Sequence, residues 1–285
     1  MIDIIIATYK RKQFLKSTLE SIISLKNKLE VGCKVYVVDD ASNYDYSEFE
    51  KVFKDDDFIL EILEINKGPG LARNRGLELG QNRWVWYIDD DDIIDIDNTV
   101  KLLNSIKDID QDFICHSMSN NYSSCKGLMK LKKNFLTFKE KQEAFNFIFR
   151  RDILENNNIK FEDGLQEDIR FVLSVMDIAK SVRYTDLKLI IKKSGHKAIT
   201  SEMSIERIKG YFRFIAQVSK IDEIQLRKKS LIQSVGVILT LISKENHILR
   251  LELIKEFKKY FIKYLTIFYD IELGKSDITN YDLLF

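Results

Sequence analysis

Apolar residues fill almost every position of Ile2–Ala7, Val35–Val38 and Trp84–Ile88, and each run stops abruptly at polar residues. Short runs rich in β-branched and aromatic side chains predict buried strands. Phe58–Ile65 predicts one more. The segments between them have helical spacing. Phe14, Leu15, Leu19, Ile22 and Ile23 form a stripe along Gln13–Leu25, and Gly70–Leu79 predicts a short helix. Strands alternating with helices predict βαβ units and a mostly parallel sheet. Right-handed crossovers then bring the strand ends Thr8, Asp39 and Asp89 to one edge, where open α/β sheets bind ligands.

The pattern loosens beyond residue 100. Asp112–Ser117 and Val182–Ile191 predict strands, whereas Phe145–Asn156 and Asp168–Ala179 predict helices. Asn120–Asn134, polar around Gly127, predicts a hairpin or loop. From about Ser201 the chain predicts helix after helix. The fold class is therefore α/β, with a domain over residues 1–200 and a helical region over 201–285. Within the domain, residues 1–100 and 101–200 form two halves.

Composition narrows the function classes. The 285 residues carry 45 Lys+Arg against 44 Asp+Glu, so the chain lacks the basic excess of a general nucleic-acid binder. Cys33, Cys115 and Cys125 form no C-x-x-C pair, which predicts a reduced, cytoplasmic protein with cysteines as small core residues. The N-terminus enters a strand pattern at once, without a leader pattern. The apolar run Leu231–Ile242 is shorter than the ~20 residues of a membrane span. Near the C-terminus, Ile254, Phe257, Phe261, Tyr264 and Phe268 recur at helical spacing with Lys255, Lys258, Lys259 and Lys263 between them. Such a helix packs on its own domain or on a second copy, or lies at the inner face of the cell membrane.

Chemistry concentrates at the end of the fourth strand, where Trp84-Val85-Trp86-Tyr87-Ile88 runs directly into Asp89-Asp90-Asp91-Asp92. Adjacent acids closing a buried strand repel one another unless something positive lies among them. Short carboxylates suit Mg²⁺ or Mn²⁺.

Four segments in order carry a resemblance. They are Ile4-Ile5-Ile6-Ala7-Thr8-Tyr9-Lys10-Arg11, Val37-Val38-Asp39-Asp40-Ala41-Ser42, Asn66-Lys67-Gly68-Pro69-Gly70-Leu71-Ala72-Arg73-Asn74-Arg75-Gly76 and Tyr87-Ile88-Asp89-Asp90-Asp91-Asp92. Together they resemble the nucleotide-sugar-binding half of family 2 glycosyltransferases with the GT-A fold. The resemblance implies that Thr8 and Tyr9 hydrogen-bond to and stack on a base. It implies that Asp39 and Asp40 hold base or ribose, although turn chemistry with Ser42 explains them as well. Arg73 pairs with a diphosphate or with a carboxylate of the first or second strand, or makes a structural ion pair. Asp89 and Asp91 match the family's D-x-D pair. Asp91 is the implied direct metal ligand, and Asp89 reaches the metal through water or contacts the ribose. Asp90 fills the variable position on the nucleotide side and faces solvent. Phe161-Glu162-Asp163-Gly164-Leu165-Gln166-Glu167-Asp168 resembles the family's acidic pair at a helix start. There Asp168 is the implied general base, kept ionised by the helix N-terminus, or else a helix cap. Glu167 is acceptor-side or structural. His196 is a further metal or diphosphate candidate, or incidental. Ala7 replaces a proline common in the family.

The resemblance implies an inverting, Mn²⁺- or Mg²⁺-dependent transfer from a UDP-sugar to a glycan or lipid-linked glycan, as in bacterial surface polysaccharide synthesis. One rival is a nucleotidyltransferase, which the glycine-free Thr8-Tyr9-Lys10-Arg11 turn disfavours. The other is a catalytically silent nucleotide- or glycan-binding subunit.

Overall fold

A computed structural model describes residues 1–117, 127–138, 143–192, 203–219 and 224–272. In chain order the first half comprises β1 (Ile2–Thr8), α1 (Lys12–Lys26), β2 (Cys33–Asp39), α2 (Glu50–Phe53), β3 (Phe58–Ile62), α3 (Pro69–Leu79), β4 (Trp84–Asp89), β5 (Asp92–Ile94) and α4 (Ile96–Leu103). There follow β6 (Phe113–Ser117), α5 (Leu128–Leu136), β7 (Phe147–Arg150), α6 (Arg151–Asn156), α7 (Glu167–Ile178), β8 (Val182–Lys188) and β9 (Ile190–Lys192). Three long helices close the described chain, α8 (Ile205–Ser219), α9 (Ile224–Ser243) and α10 (His247–Glu272).

Seven strands form one sheet in the order β3-β2-β1-β4-β7-β6-β8, and β5 pairs with β9 beside it. The block β3-β2-β1-β4 is parallel throughout, as the alternation of strands and helices predicts. Only β7 runs against its neighbours β4 and β6. The register pairs Thr8 with Asp39 and Ala7 with Asp89, so the three polar strand ends lie side by side.

Both faces of this sheet are covered, and the strands alternate between two cores. Ile2, Ile4 and Ile6 of β1, with Trp84, Trp86 and Ile88 of β4, pack on Leu15, Leu19, Ile22 and Leu25 of α1. Ile5, Val85 and Tyr87 point the other way, into a core shared with α7 and the C-terminal helices. The period of two is the strand's own geometry, and burial on both sides explains why the runs read as wholly apolar. On that second face α3 comes so close that a Cβ at Gly76 would stand 2.4 Å from Ile5 Cγ2. Only glycine permits this approach.

Three expectations need correction. Phe147–Arg150 is a strand within the segment expected to be a single helix, with only Arg151–Asn156 helical after it. Phe147, Ile148 and Phe149 are all buried, because this strand lies inside the sheet and its two faces meet different cores. Its apolar run therefore lacks the alternation that marks a half-exposed strand. Leu128–Leu136 is a helix where a hairpin or loop was expected, with Leu131, Phe135 and Leu136 turned inward. Residues 118–126 of that segment lie outside the described residues, as does Cys125. The run expected as one strand over Val182–Ile191 is divided between β8 and β9, and β9 pairs with the unforeseen β5.

The C-terminal helices share a core with the α/β part. Phe212 and Phe214 of α8, Leu231 and Ile238 of α9, and Leu253 and Phe257 of α10 join the cluster that contains Tyr87 and Phe171. Packing on the chain itself is therefore what Phe257 does, its ring lying 5.7 Å from that of Phe212. The boundary expected near residue 201 falls outside the described residues. No described helix is long and apolar enough to cross a membrane.

α8 braces the turn that opens α7. A Cβ at Gly210 would stand 2.2 Å from the Leu165 carbonyl oxygen. Arg213 donates to the Asp163 carbonyl at 3.3 Å, and Gln217 donates to Ser174 Oγ at 2.9 Å. This contact holds Gln166 in a left-handed conformation (φ 64°) just before Glu167 and Asp168. Gly210→Ala is expected to lower stability by about 1–3 kcal/mol through overpacking. It should also speed amide exchange over Gly164–Asp168. Urea unfolding and exchange mass spectrometry check this, and unchanged values for both would refute the brace.

Candidate active site

The edge formed by β1, β2 and β4 is a set of interlocking turns. After β2, Asp39 is fully buried and accepts hydrogen bonds from the Ser42 amide at 3.2 Å and from the Ser42 hydroxyl. Ser42 Oγ in turn accepts the Lys10 amide at 2.7 Å, which ties the loop after β1 to the loop after β2. Asp40 accepts the amides of Lys67 and Gly68, both at 2.7 Å, and so fixes the entry to α3. Turn chemistry thus accounts for what Asp39 and Asp40 touch within the chain. Tyr9 is exposed at the same edge, with the Lys10 ammonium 5.1 Å from its ring centre.

The acidic loop after β4 is held from three sides. Thr8 donates its hydroxyl to Asp90 Oδ2 at 2.7 Å. Arg11 lies 3.1 Å from Asp90 Oδ1 and also pairs with Asp91. Thr18 Oγ1, from the middle of α1, lies 2.9 Å from the Asp90 carbonyl and 2.8 Å from that of Asp92. Asp90 was expected to face solvent and instead is buried. The reason is that Thr8 and Arg11 each engage one of its oxygens. Burial pushes its carboxyl up to about 7, against the pull of Arg11 and Thr8.

Arg73, from α3, joins this loop to the start of α7. One guanidinium nitrogen lies 3.0 Å from Asp89. Another lies 3.0 Å from Glu167 and 3.2 Å from Asp168. The structural ion pair is therefore what the chain itself makes of Arg73. Its carboxylate partners come from the fourth strand and α7, not from the first two strands, because α3 crosses behind β1 toward α7. Burial opposes the Arg73 charge, but Asp168, Asp89 and Glu167 outweigh it and raise its pKa. The neighbouring Asn74 clamps the approach to α7. It donates to the Phe161 carbonyl at 2.8 Å and accepts the Phe161 amide at 2.9 Å. Below it, Phe161 and Phe171 stack at 3.9 Å, and Tyr87 meets both edge-on. One aromatic cluster thus carries both acidic ends.

Asp168 is the second residue of α7, and the cap position belongs to Gln166, so Asp168 is not the helix cap. Nor does the helix start dominate its ionisation. Burial pushes the carboxyl up to about 8 against the pull of Arg73, and the charges of Glu167, Asp89 and Glu143 add to the rise. Glu167 is buried and turned to Arg73.

Asp89 and Asp91 each leave one carboxylate oxygen without a hydrogen bond among the described residues, and their side chains are 29% and 25% exposed. No group of three or more metal-ligating side chains converges among the described residues. The donor set fits Mg²⁺ or Mn²⁺, which hold to one or two carboxylates and complete their shell with water and phosphate oxygens. His196 lies outside the described residues.

Comparison with known proteins places this geometry. The profile of Glycosyl transferase family 2 matches residues 3–165, more than half of the chain. The chain belongs to glycosyl transferase family 2. Among its relatives is the UDP-Glc:alpha-D-GlcNAc-diphosphoundecaprenol beta-1,3-glucosyltransferase WfaP of Escherichia coli. It is 30% identical over 122 residues, which is 43% of this chain and 46% of WfaP. The processive diacylglycerol beta-glycosyltransferase of Mycoplasma genitalium is 26% identical over 195 residues, 59% of this chain and 56% of that protein. The chain thus spans about half the length of the curated relatives it matches. In fold it is similar to S. aureus TarS 1–349 in complex with UDP-GlcNAc. The TM-score is 0.65 at 17% identity, covering 97% of this chain and 93% of that one. The family 2 member therefore has the expected GT-A fold with a helical C-terminal region.

Sequence reasoning named Ser42 as a turn partner but missed the roles of Arg11, Thr18 and Asn74. Thr18 had a readable signal, a polar residue among Leu15, Leu19, Ile22 and Leu25 on the buried face of α1.

Proposed function

We propose that this chain is an inverting, metal-dependent glycosyltransferase that moves a hexose or N-acetylhexosamine from a UDP-sugar to a glycan hydroxyl. The observation that carries this reading is a charge imbalance. Five carboxylates (Asp89, Asp90, Asp91, Glu167 and Asp168) share the two guanidiniums of Arg11 and Arg73. A site this acidic suits a cation together with a diphosphate, and family membership supplies the reaction class. The activity of WfaP, on a diphosphoundecaprenol-linked sugar, supports a lipid-linked glycan acceptor and a place in bacterial surface polysaccharide synthesis.

In this reading Asp168 takes the proton of the acceptor hydroxyl as its oxygen bonds to the anomeric carbon. The bond from that carbon to the diphosphate oxygen breaks on the opposite face. Arg73 positions Asp168 and Asp89 across the gap the sugar occupies. Asp91, with Asp89 beside it, would hold Mn²⁺ or Mg²⁺, which would supply positive charge to offset that of the departing diphosphate. Thr8, Tyr9 and the Asp39–Asp40 turn form the nucleoside side, with Tyr9 offering a face for the base.

α10 supports contact with the cytoplasmic membrane surface. Ile248, Leu251, Ile262 and Leu265 are exposed. At helical spacing they share one face with the exposed Lys255, Lys258 and Lys259.

Four measurements test these assignments. Asp91→Ala should weaken Mn²⁺-dependent UDP binding by at least tenfold in calorimetry, and an unchanged affinity would exclude the metal role. Asp168→Asn should keep UDP binding and lower transfer by about 10²–10⁴-fold. A base works only when ionised, so wild-type kcat/KM should rise with pH toward a plateau above about 8. A flat profile would exclude Asp168 as the base. Vesicles containing phosphatidylglycerol should co-sediment the protein more than phosphatidylcholine vesicles do. The difference should vanish when Lys255, Lys258 and Lys259 become Glu. Equal sedimentation, or dimerisation through this face, would refute the membrane contact.

A further inference from the structure

Two arginines partly offset the charge of the acidic edge, and they differ in how they are held. Arg73 is buried among three carboxylates, lies 5.3 Å over the Phe161 ring and belongs to the middle of a packed helix. Arg11 stands at the N-terminal boundary of α1, directly after Lys10, whose φ is 54°. Its side chain is 22% exposed, and it spans Asp90 and Asp91 from the open side of the loop. Its guanidinium also lies 5.1 Å from the Phe14 ring centre, a surface on which it can rest. Arg11 is therefore the removable charge of the pair.

We propose that Arg11 is an internal stand-in for the divalent cation. This rests on the metal reading above. Its guanidinium pairs with Asp91, the carboxylate that the cation requires, so metal entry is an exchange and not a simple addition. The exchange leaves no buried charge uncompensated. Thr8 keeps its hydrogen bond to Asp90 Oδ2, and a doubly charged ion beside Asp91 replaces the single charge that Asp90 loses. The displaced guanidinium needs an anion, and the diphosphate of the donor is the one that arrives at this edge. Each ligand then favours the other, because the diphosphate draws Arg11 from Asp91 and the cation releases Arg11 to the diphosphate. The site stays closed to free metal and becomes competent when nucleotide is present.

The test is Mn²⁺ binding by electron paramagnetic resonance of the free ion, using the full chain with and without UDP. Without UDP, Arg11→Gln should bind Mn²⁺ about 5-fold or more tightly than wild type. Arg11→Lys retains a charge for buried Asp90 but not the two-pronged grip, and should fall between them. UDP without metal should bind Arg11→Gln more weakly. Mn²⁺ affinities in both variants that equal or fall below wild type would overturn the exchange while leaving the metal reading standing. If no protein retained Mn²⁺, even with UDP, beyond what UDP itself holds, the metal reading would fall and take this proposal with it.

Discussion

An excess of carboxylate over guanidinium at one sheet edge is the constraint on which this protein is organised. Five acids on the loop after β4 and the first turn of α7 meet around Arg11 and Arg73. Acids this close and this enclosed resist ionising together, which is why the carboxyls of Asp90 and Asp168 are both pushed upward by burial. The fold tolerates the arrangement because its apolar framework is extensive. The stacked Phe161–Phe171 pair and the edge-on Tyr87 lie directly beneath the acids and hold both acidic segments in place. Function and packing are thus adjacent but separate. The aromatic cluster sets distances, and the charged layer above it is left unbalanced for a ligand to complete.

The same edge shows a division of labour among polar residues. Asp40 and Asn74 spend their hydrogen bonds on backbone, one on the entry to α3 and the other on the approach to α7. Thr18 and Ser42 do likewise for the acidic loop and the β1 turn. Among the described residues of the site, Asp89, Asp91, Glu167 and Asp168 each keep one carboxylate oxygen without a hydrogen bond, and the ring of Tyr9 is exposed. A site built this way is stiff in its backbone and adjustable only at a few side chains, with Arg11 the more exposed of its two guanidiniums.

The α/β organisation was legible because buried parallel strands make unbroken apolar runs, and Ile2–Ala7, Val35–Val38 and Trp84–Ile88 are such runs. The same reasoning failed at Phe147–Arg150, since a strand buried on both faces and a buried helix look alike over four residues. It failed again over Leu128–Leu136, where only Leu131, Phe135 and Leu136 face inward among lysines. At the acidic loop, Asp89 and Asp91 stood out as acids closing an apolar run, whereas Asp168 was singled out by the family resemblance alone. The burial of Asp90 could not be read, because its partners Thr8 and Arg11 are about eighty residues away in the chain.

Local patterning by itself determined β1 to β4, where those strands end, and that acids lie at those ends. These follow from side-chain volume, periodicity and turn chemistry, all of which act over a few residues. Only the tertiary structure decided which acid meets which arginine. Arg73 faces Asp89 and Asp168 because α3 and α7 cross on one face of the sheet, and Arg11 faces Asp91 because β1 lies beside β4. Charge pairing depends on distances of a few ångströms across the whole fold, and no local pattern encodes those.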